Sequence, residues 1–152
     1  MTAFTVEQTD WAQDAARLAA VRRHVFILEQ GVPEEMEWDT ADATAVHFLA
    51  LAIEGQPIGC ARLLPDGHIG RMAVLPNWRR LGVGSALLAA ALTHARNTEI
   101  ALIRLSAQVQ AVPFYLQAGF VIVGDSYQEA GIPHVSMHKH LSGGEQADSM
   151  QV

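Results

Sequence analysis

The spacing of apolar positions changes along the first half of the chain, and each spacing predicts a different element. Residues 3–7 alternate between apolar and polar types, as an edge strand does. From Trp11 onward apolar residues recur every three or four positions, which predicts a helix that begins after a capping side chain at Asp10. Residues 30–42 have no regular period and contain helix breakers, so we expect a long loop there. Three strand-like runs follow, separated by turns that contain glycine and proline: residues 46–54, 58–64 and 68–75.

The second half of the chain alternates between helical and strand-like runs. A helical stripe covers residues 85–97, and an apolar strand-like run covers residues 100–107. A short helix is expected over residues 109–118, ending at Gly119. Two further strand-like runs close the pattern: residues 120–125 and 135–140. This order of elements is typical of a layered α/β fold whose sheet has mixed strand directions.

The length and composition fit one folded domain. The chain has 152 residues, of which 50% are hydrophobic, and this is enough for a well-buried core. A charged fraction of only 17% excludes a disordered polyelectrolyte. We expect the domain to span residues 2–141, because small and polar residues dominate after Leu141. Residues 142–152 are expected to form a flexible C-terminal tail.

Charge and cysteine content exclude several classes of function. Ten basic residues against sixteen acidic ones give a formal charge of -6, which disfavours a nucleic-acid binder because phosphates require a basic face. Cys60 is the only cysteine, so the chain forms no internal disulfide. No apolar run reaches the roughly 20 residues of a membrane span, and residues 1–10 lack the regions of a signal peptide. We therefore expect a cytoplasmic protein with no membrane or nucleic-acid partner.

A glycine-containing segment, residues 79–85, connects a predicted strand to the first turn of a predicted helix. That turn leaves backbone N–H groups without intrahelical partners, and Gly82 and Gly84 allow an anion to approach them closely. The segment lacks the Gly-Lys-Ser/Thr end of a Walker loop, and Leu87 stands where a dinucleotide-binding fingerprint has its third glycine. Two interpretations remain open at this point: a phosphate-binding loop, and a corner whose glycines only form the turn.

Two motifs of fixed spacing resolve this choice. The first is formed by Arg79, Gly82 and Gly84, after a strand that ends at Pro76. The second consists of Ala111, Phe114, Tyr115, Gly119 and Phe120, with Gln108 where asparagine is usual. Together they resemble the pyrophosphate loop and the second signature of the GNAT superfamily of acetyl-coenzyme A-dependent N-acetyltransferases. Further positions resemble its ElaA-like branch: residues 25–30, Ile132, Pro133, His134 and Met137.

The resemblance implies a single-domain GNAT fold, in which a mixed, mostly antiparallel sheet with splayed central strands is flanked by helices. It also implies acetyl-coenzyme A (acetyl-CoA) as the acetyl donor, whose pantetheine arm would pair with the backbone of Met72, Ala73 and Val74. The other cofactor-binding residues that it implies are Arg79, Arg80, Leu81, Gly82, Val83, Gly84, Ser85, Gln108, Ala111 and Phe114.

Amide formation from a thioester requires an oxyanion donor, an acid for the departing thiolate and a route for the amine proton. The resemblance implies a backbone N–H near residues 72–74 as the oxyanion donor and Tyr115 as the acid. Tyr115 is otherwise an ordinary core aromatic. The candidates for the base are Glu29, Glu37, Asp39 and His134. We favour Glu29, because the apolar residues before it predict partial burial and a raised pKa, with His134 as the rival.

Six acidic residues lie between positions 29 and 42, and such a rim would attract a cationic acceptor. Glu37 and Asp39 are therefore predicted to bind the substrate, the alternative being a merely solvated acidic loop. His134, His138 and His140 share one strand face, but no acidic or cysteine ligand accompanies them, so we expect no metal. Cys60 lies in an apolar strand and is expected to pack, which disfavours an acyl-cysteine route.

The sequence thus predicts an N-acetyltransferase that moves an acetyl group from acetyl-CoA to a small cationic amine in a ternary complex, as a monomer or homodimer. The main alternative is a binding module, either a non-catalytic acyl-CoA sensor or a protein that acts through a partner. A plain structural α/β domain would require both motifs to be accidental.

Overall fold

The computed structural model of the protein describes residues 3–141, which form two compact units. Unit one runs to Pro65 and resumes over Ile69–Thr93, and unit two contains Asp66–His68 and the residues from His94 onward. The predicted tail, residues 142–152, lies outside the described residues.

Unit one begins with the strand and helix that the sequence predicts. Its elements are β1 (Phe4–Thr9), α1 (Trp11–Arg22) with a π-helical continuation (Arg23–Glu29), α2 (Glu34–Glu37), a 3₁₀ turn (Thr40–Ala43), β2 (Val46–Ala52), β3 (Pro57–Leu63), most of β4 (His68–Val74), a second 3₁₀ turn (Pro76–Trp78) and most of α3 (Val83–Asn97). The strands pair antiparallel in the order β1-β2-β3-β4. The Asp10 side chain caps α1 by accepting from the Gln13 N–H at 2.9 Å, as predicted.

Helices cover both faces of this sheet. Leu18 and Val21 of α1 are buried against a face that includes Cys60 of β3. The neighbouring residue, Gly59, points to the opposite face, where a Cβ atom would lie 3.1 Å from the side chains of Val83 and Leu87. Gly59 therefore allows α3 to lie close to β3, and this contact fixes the first turn of α3, which the candidate phosphate loop enters.

Unit two is built on a three-stranded antiparallel sheet in the order β5-β7-β6. Its elements are β5 (Leu102–Gln108), a 3₁₀ turn (Val109–Ala111), α4 (Val112–Gln117), β6 (Val121–Glu129) and β7 (Ile132–His140). Residues of β5 alternate between buried Ile103 and Leu105 and exposed Arg104 and Ser106. One face of this sheet is therefore apolar and the other is polar.

The predicted order of elements is confirmed, and the differences lie at element ends and in one loop. β6 and β7 extend beyond residues 120–125 and 135–140, because every residue of β6 is exposed and gives no apolar signal. Residues 30–42 contain two short helical turns instead of a plain loop. The predicted splay of the central strands stays a prediction. Within residues 3–141, no helix has the length and apolar character that crossing a membrane requires.

Candidate active site

The acidic segment of residues 29–42 is largely neutralised by arginines from elsewhere in unit one. Five of its six carboxylates form ion pairs: Glu29 with Arg79, Glu34 with Arg23, Glu37 with Arg22 and Arg71, Asp39 with Arg62 and Arg71, and Asp42 with Arg22 and Arg62. The expectation that this rim attracts a cation stays a prediction, which these ion pairs disfavour because most of the negative charge is already matched.

Glu29 forms a two-pronged ion pair with Arg79, the first residue of the candidate phosphate loop. The two guanidinium nitrogens lie 2.8 and 2.7 Å from the two carboxylate oxygens, and Arg79 Nε donates to the carbonyl of Val74 at 2.9 Å. The Glu29 side chain is 35% exposed, and the hydrogen bond from Arg79 lowers its pKa. The expected rise in the pKa of Glu29 is therefore wrong. Its assignment as the base stays a prediction that this pairing disfavours.

Glu37 is buried and not exposed, since only 3% of its surface is accessible. Its carboxylate accepts from Arg22 Nε at 2.9 Å and lies 3.1 Å from Arg71 Nε. Burial raises the pKa of Glu37, and the two arginines oppose this rise without cancelling it. The alternative of a merely solvated acidic loop is therefore wrong for Glu37, because its carboxylate belongs to an internal charge network.

Asp39 keeps more access to solvent than Glu37. Its side chain is 40% exposed, while its two oxygens lie 2.7 Å from Arg62 Nη1 and 3.2 Å from Arg71 Nη2. Substrate binding by Asp39 stays a prediction, as it does for Glu37. Of the two, Asp39 has the carboxylate that a ligand can reach more readily.

The candidate phosphate loop has the open backbone that a bound anion requires. Gly82 has a φ of +87°, and a Cβ built on it would meet nothing within 4 Å. The Ala86 N–H donates to the Gly82 carbonyl at 3.0 Å at the start of α3, so the N–H groups of residues 83–85 precede this bond. Leu81, Arg80 and Ser85 are exposed. These features fit a phosphate group on the loop.

The strand before the loop presents the backbone that is predicted to bind pantetheine. Ala73 is buried and lies opposite Cys60 of β3, while Met72 and Val74 are half-buried. The Val74 carbonyl already accepts from Arg79, so its oxygen is held in a fixed direction.

In unit two, Tyr115 lies in α4 and is buried between aromatic rings. Its ring centroid is 5.0 Å from that of Phe114 and 5.8 Å from that of Phe120, both in edge-to-face geometry. Burial raises the pKa of Tyr115 to about 12, so the phenol is protonated at neutral pH. Gln108 and Ala111 precede α4, and Gln108 accepts from the Gln110 side chain at 2.6 Å.

His134 is buried in β7, directly opposite Gln108 of β5 and Tyr127 of β6. Its Nδ1 lies 2.7 Å from the carbonyl oxygen of Ile132. A carbonyl can only accept, so Nδ1 carries the proton and the neutral ring has its lone pair on Nε2. The Tyr127 ring stacks on His134 with centroids 6.2 Å apart. This tautomer is the one that a proton acceptor at Nε2 requires.

Sequence reasoning missed a polar cluster beside His134. Ser106 hydrogen-bonds the Tyr127 hydroxyl and donates to Glu129 at 3.2 Å, and Ser136 donates to the same hydroxyl at 3.5 Å. It also missed Arg22, Arg62 and Arg71. A charged residue inside an apolar strand or helix stripe, as at Arg62 and Arg22, is the signal that points to a buried ion pair.

Cys60 is buried, and burial raises the pKa of its thiol to about 12. The expectation that it packs in the core is confirmed. Among the described residues, no three histidine, cysteine, aspartate or glutamate side chains converge in a way that could hold a metal ion.

Comparisons with known proteins identify the family of this chain. A family model described as an acetyltransferase (GNAT) domain matches residues 8–141. A Bacillus subtilis (strain 168) protein named as an acetyltransferase is 33% identical over 142 residues, which cover 90% of this chain and 96% of the relative.

Solved structures give the same result. An N-acetyltransferase from Lactobacillus plantarum matches with a TM-score of 0.84 and 27% identity, covering 92% of this chain and 99% of that one. ElaA of Escherichia coli matches with a TM-score of 0.79 and 26% identity, covering 89% of this chain and 99% of that one. These similarities confirm the predicted α/β fold class and the predicted resemblance to ElaA.

Proposed function

The chain belongs to the GNAT acetyltransferase family and is an acyl-CoA N-acetyltransferase, and from this premise we propose that it transfers the acetyl group of acetyl-CoA directly to a primary amine. The family match over residues 8–141 carries the proposal. The amine nitrogen bonds to the thioester carbonyl carbon and the carbon–sulfur bond then breaks. The amine loses one proton and the departing thiolate gains one, so the products are an amide and free coenzyme A.

The pyrophosphate of acetyl-CoA would bind at residues 79–85. Support comes from the open space at Gly82 and from the N–H groups of Val83, Gly84 and Ser85 at the start of α3. Arg79 is already paired with Glu29, so the carboxylate neutralises part of its positive charge. The exposed Arg80 adjoins the same loop and brings a second guanidinium.

The pantetheine arm would lie along Met72–Val74, with Gln108, Ala111 and Phe114 as further contacts. An extended amide chain can pair with a strand backbone in the way that an added strand does. A backbone N–H of Met72–Val74 would also stabilise the oxyanion that forms on the thioester carbonyl.

Tyr115 would donate the proton that the coenzyme A thiolate takes up. With a pKa of about 12 the phenol is protonated at every working pH, as a donor must be. An acid this weak donates well only to a strong base. A thiolate shielded from water is a stronger base than one in water, because burial disfavours its charged form.

His134 would accept the amine proton, directly or through a water molecule. Its Nδ1 proton is held by the Ile132 carbonyl, which leaves Nε2 as the acceptor in the neutral ring. Glu29 is a weaker candidate, because the hydrogen bond from Arg79 lowers its pKa and with it its basicity. We therefore assign Glu29 to holding Arg79.

The acceptor class that follows is a primary amine. A preference for cations has little support, because arginines match five of the six carboxylates on which it rested. Direct attack, and not transfer through an acyl-cysteine, fits the buried Cys60 with its raised pKa.

An amine panel tests this function. Release of free thiol from acetyl-CoA is measured with alkyl amines, polyamines, amino acids, aminoglycosides and peptides that carry a free N-terminus or a lysine. We expect at least one amine to give thiol release and an equal amount of its acetylated product. Tight acetyl-CoA binding with no turnover of any amine would contradict the proposal and favour an acyl-CoA sensor.

Tyr115→Phe is the matched variant for this assay, because it keeps the buried ring and removes only the phenol. We expect kcat to fall by about 100-fold while the Kd for acetyl-CoA, measured by calorimetry, stays unchanged. Unchanged turnover would remove Tyr115 from the mechanism.

A further inference from the structure

Strand β4 contains an irregularity at Arg71, immediately before the backbone that is proposed to act on the thioester. Cys60 lies opposite Ala73 and Arg62 lies opposite Gly70, so β4 has one residue more than β3 across this stretch. Arg71 takes up the extra length with a φ of +49°, in the left-handed region that non-glycine residues rarely adopt. A bulge of this kind turns the residues that follow it. Its conformation therefore needs support from elsewhere.

The support comes from the Arg71 side chain and from its carbonyl. The guanidinium donates to the Glu37 carbonyl from Nε at 3.2 Å and from Nη2 at 2.9 Å. It also forms ion pairs with the Glu37 carboxylate at 3.1 Å and with Asp39 at 3.2 Å. At the other end, the Cys60 thiol donates to the Arg71 carbonyl at 3.3 Å. The bulge is thus held through both the side chain and the carbonyl of Arg71.

Glu37 and Asp39 are themselves fixed by two further arginines. Arg22 Nε lies 2.9 Å from Glu37, and Arg62 Nη1 lies 2.7 Å from Asp39. Both arginines also contact Asp42, at 2.8 and 2.9 Å. The network therefore sets three arginines against three carboxylates, so its charges balance. Each member has two partners of opposite charge, so removal of any one unbalances the network and leaves both of its neighbours with a single partner.

We propose that Arg71 is a positioning residue, which fixes the β4 bulge through Glu37 and Asp39 and thereby sets the direction of the Met72–Val74 backbone N–H groups. The inference rests on the proposed function, which places oxyanion stabilisation on these groups. Arg71 acts through the backbone that follows it. Its loss therefore affects the transition state more than the binding of acetyl-CoA.

Three substitutions separate the effect of losing the guanidinium from the effect of strain in the backbone. Arg71→Gly removes the side chain but adopts a positive φ freely, Arg71→Ala removes it and keeps the strain, and Arg71→Lys keeps a positive charge with different geometry. We expect kcat to fall by about 10- to 100-fold in the glycine and alanine variants, because small misplacements of reacting groups cost about this much. The KM for acetyl-CoA should change by less than about threefold. Arg71→Lys should recover part of kcat, and Arg71→Gly should melt at a higher temperature than Arg71→Ala.

Arg23→Ala is the matched control. Arg23 is exposed and pairs with Glu34, which lies in the same acidic segment but outside the network that holds Arg71, so its removal should leave kcat unchanged. Asp39→Asn is a milder variant that removes one negative charge from the network, and it should lower kcat less than Arg71→Gly does.

The outcomes distinguish this inference from the proposed function. Wild-type kcat in Arg71→Gly would overturn the positioning role, and so would an equal loss in Arg23→Ala. If the Arg71 variants fail to fold, unchanged kcat in Asp39→Asn would also overturn it. A wild-type protein that turns over no amine would contradict the proposed function instead.

Discussion

At the scale of single residues, Glu29 shows which features of the site depend on distant parts of the chain. The apolar residues before it predict burial and a raised pKa. Its partner, Arg79, lies 50 positions away and lowers that pKa. No local pattern contains this information, because an ion pair between separate elements leaves no periodic signal. The buried state of Glu37 was missed for the same reason, since its partners are Arg22 and Arg71.

The same pairing gives a test of which group accepts the amine proton. We expect His134→Gln to lower kcat by about 100-fold and to remove the acidic limb of the pH–rate profile, because it removes the Nε2 lone pair. Glu29→Gln should keep that limb. A limb that belonged to Glu29 would lie below the ordinary glutamate value of 4.5, since Arg79 lowers its pKa and protonation occurs only at more acidic pH.

His138→Gln is the control for this experiment, because His138 follows His134 by four positions on the same strand face. It should leave the profile unchanged. A limb that persists in His134→Gln and disappears in Glu29→Gln would reverse the assignment.

At the scale of elements, the hydrophobic period predicts the helices and the buried strands well. The stripe of α1 and the apolar strands β2 and β3 lie where expected, because burial on one face imposes a regular spacing. The hydrophobic period does not predict the full length of β6, because its nine residues are all exposed. It also cannot show the β4 bulge. The bulge depends on the register with β3 and on the charges that hold Arg71.

The corner between β4 and α3 contains the glycines that are proposed to admit the pyrophosphate. Gly82→Val places a side chain in the open space proposed for pyrophosphate, so the Kd for coenzyme A should rise at least tenfold, which corresponds to about 1.4 kcal/mol. The substitution also strains a backbone with a φ of +87°, which lowers the melting temperature.

Gly55→Val separates these two effects. Gly55 has a φ of +98° and open surroundings, and it lies in the turn between β2 and β3. The Gly55→Val variant should show a similar fall in melting temperature but keep the wild-type Kd for coenzyme A. Calorimetry on both variants measures both quantities. Equal affinity in the two variants would mean that the glycines of the loop only form the corner.

At the scale of the whole molecule, two motifs in the correct order were enough to predict the family. The family model spans residues 8–141, close to the domain expected from composition. The overall charge of -6 was less informative. The ten basic residues include one lysine, so nine are arginines, and five of these pair with the acidic segment. Net charge cannot show such a distribution, and for this reason the predicted cationic acceptor lost its support.

In the proposed reaction the acetyl group passes from acetyl-CoA to an amine with no acetylated protein on the way. Isotopically labelled acetyl-CoA is mixed with the protein, first without and then with an amine that the panel identifies. Mass spectrometry then follows both the intact protein and the amine. We predict an unchanged protein mass in the absence of amine, and one labelled acetyl group on the amine for each thiol released. Label that appears on the protein first and then moves to the amine would contradict direct attack.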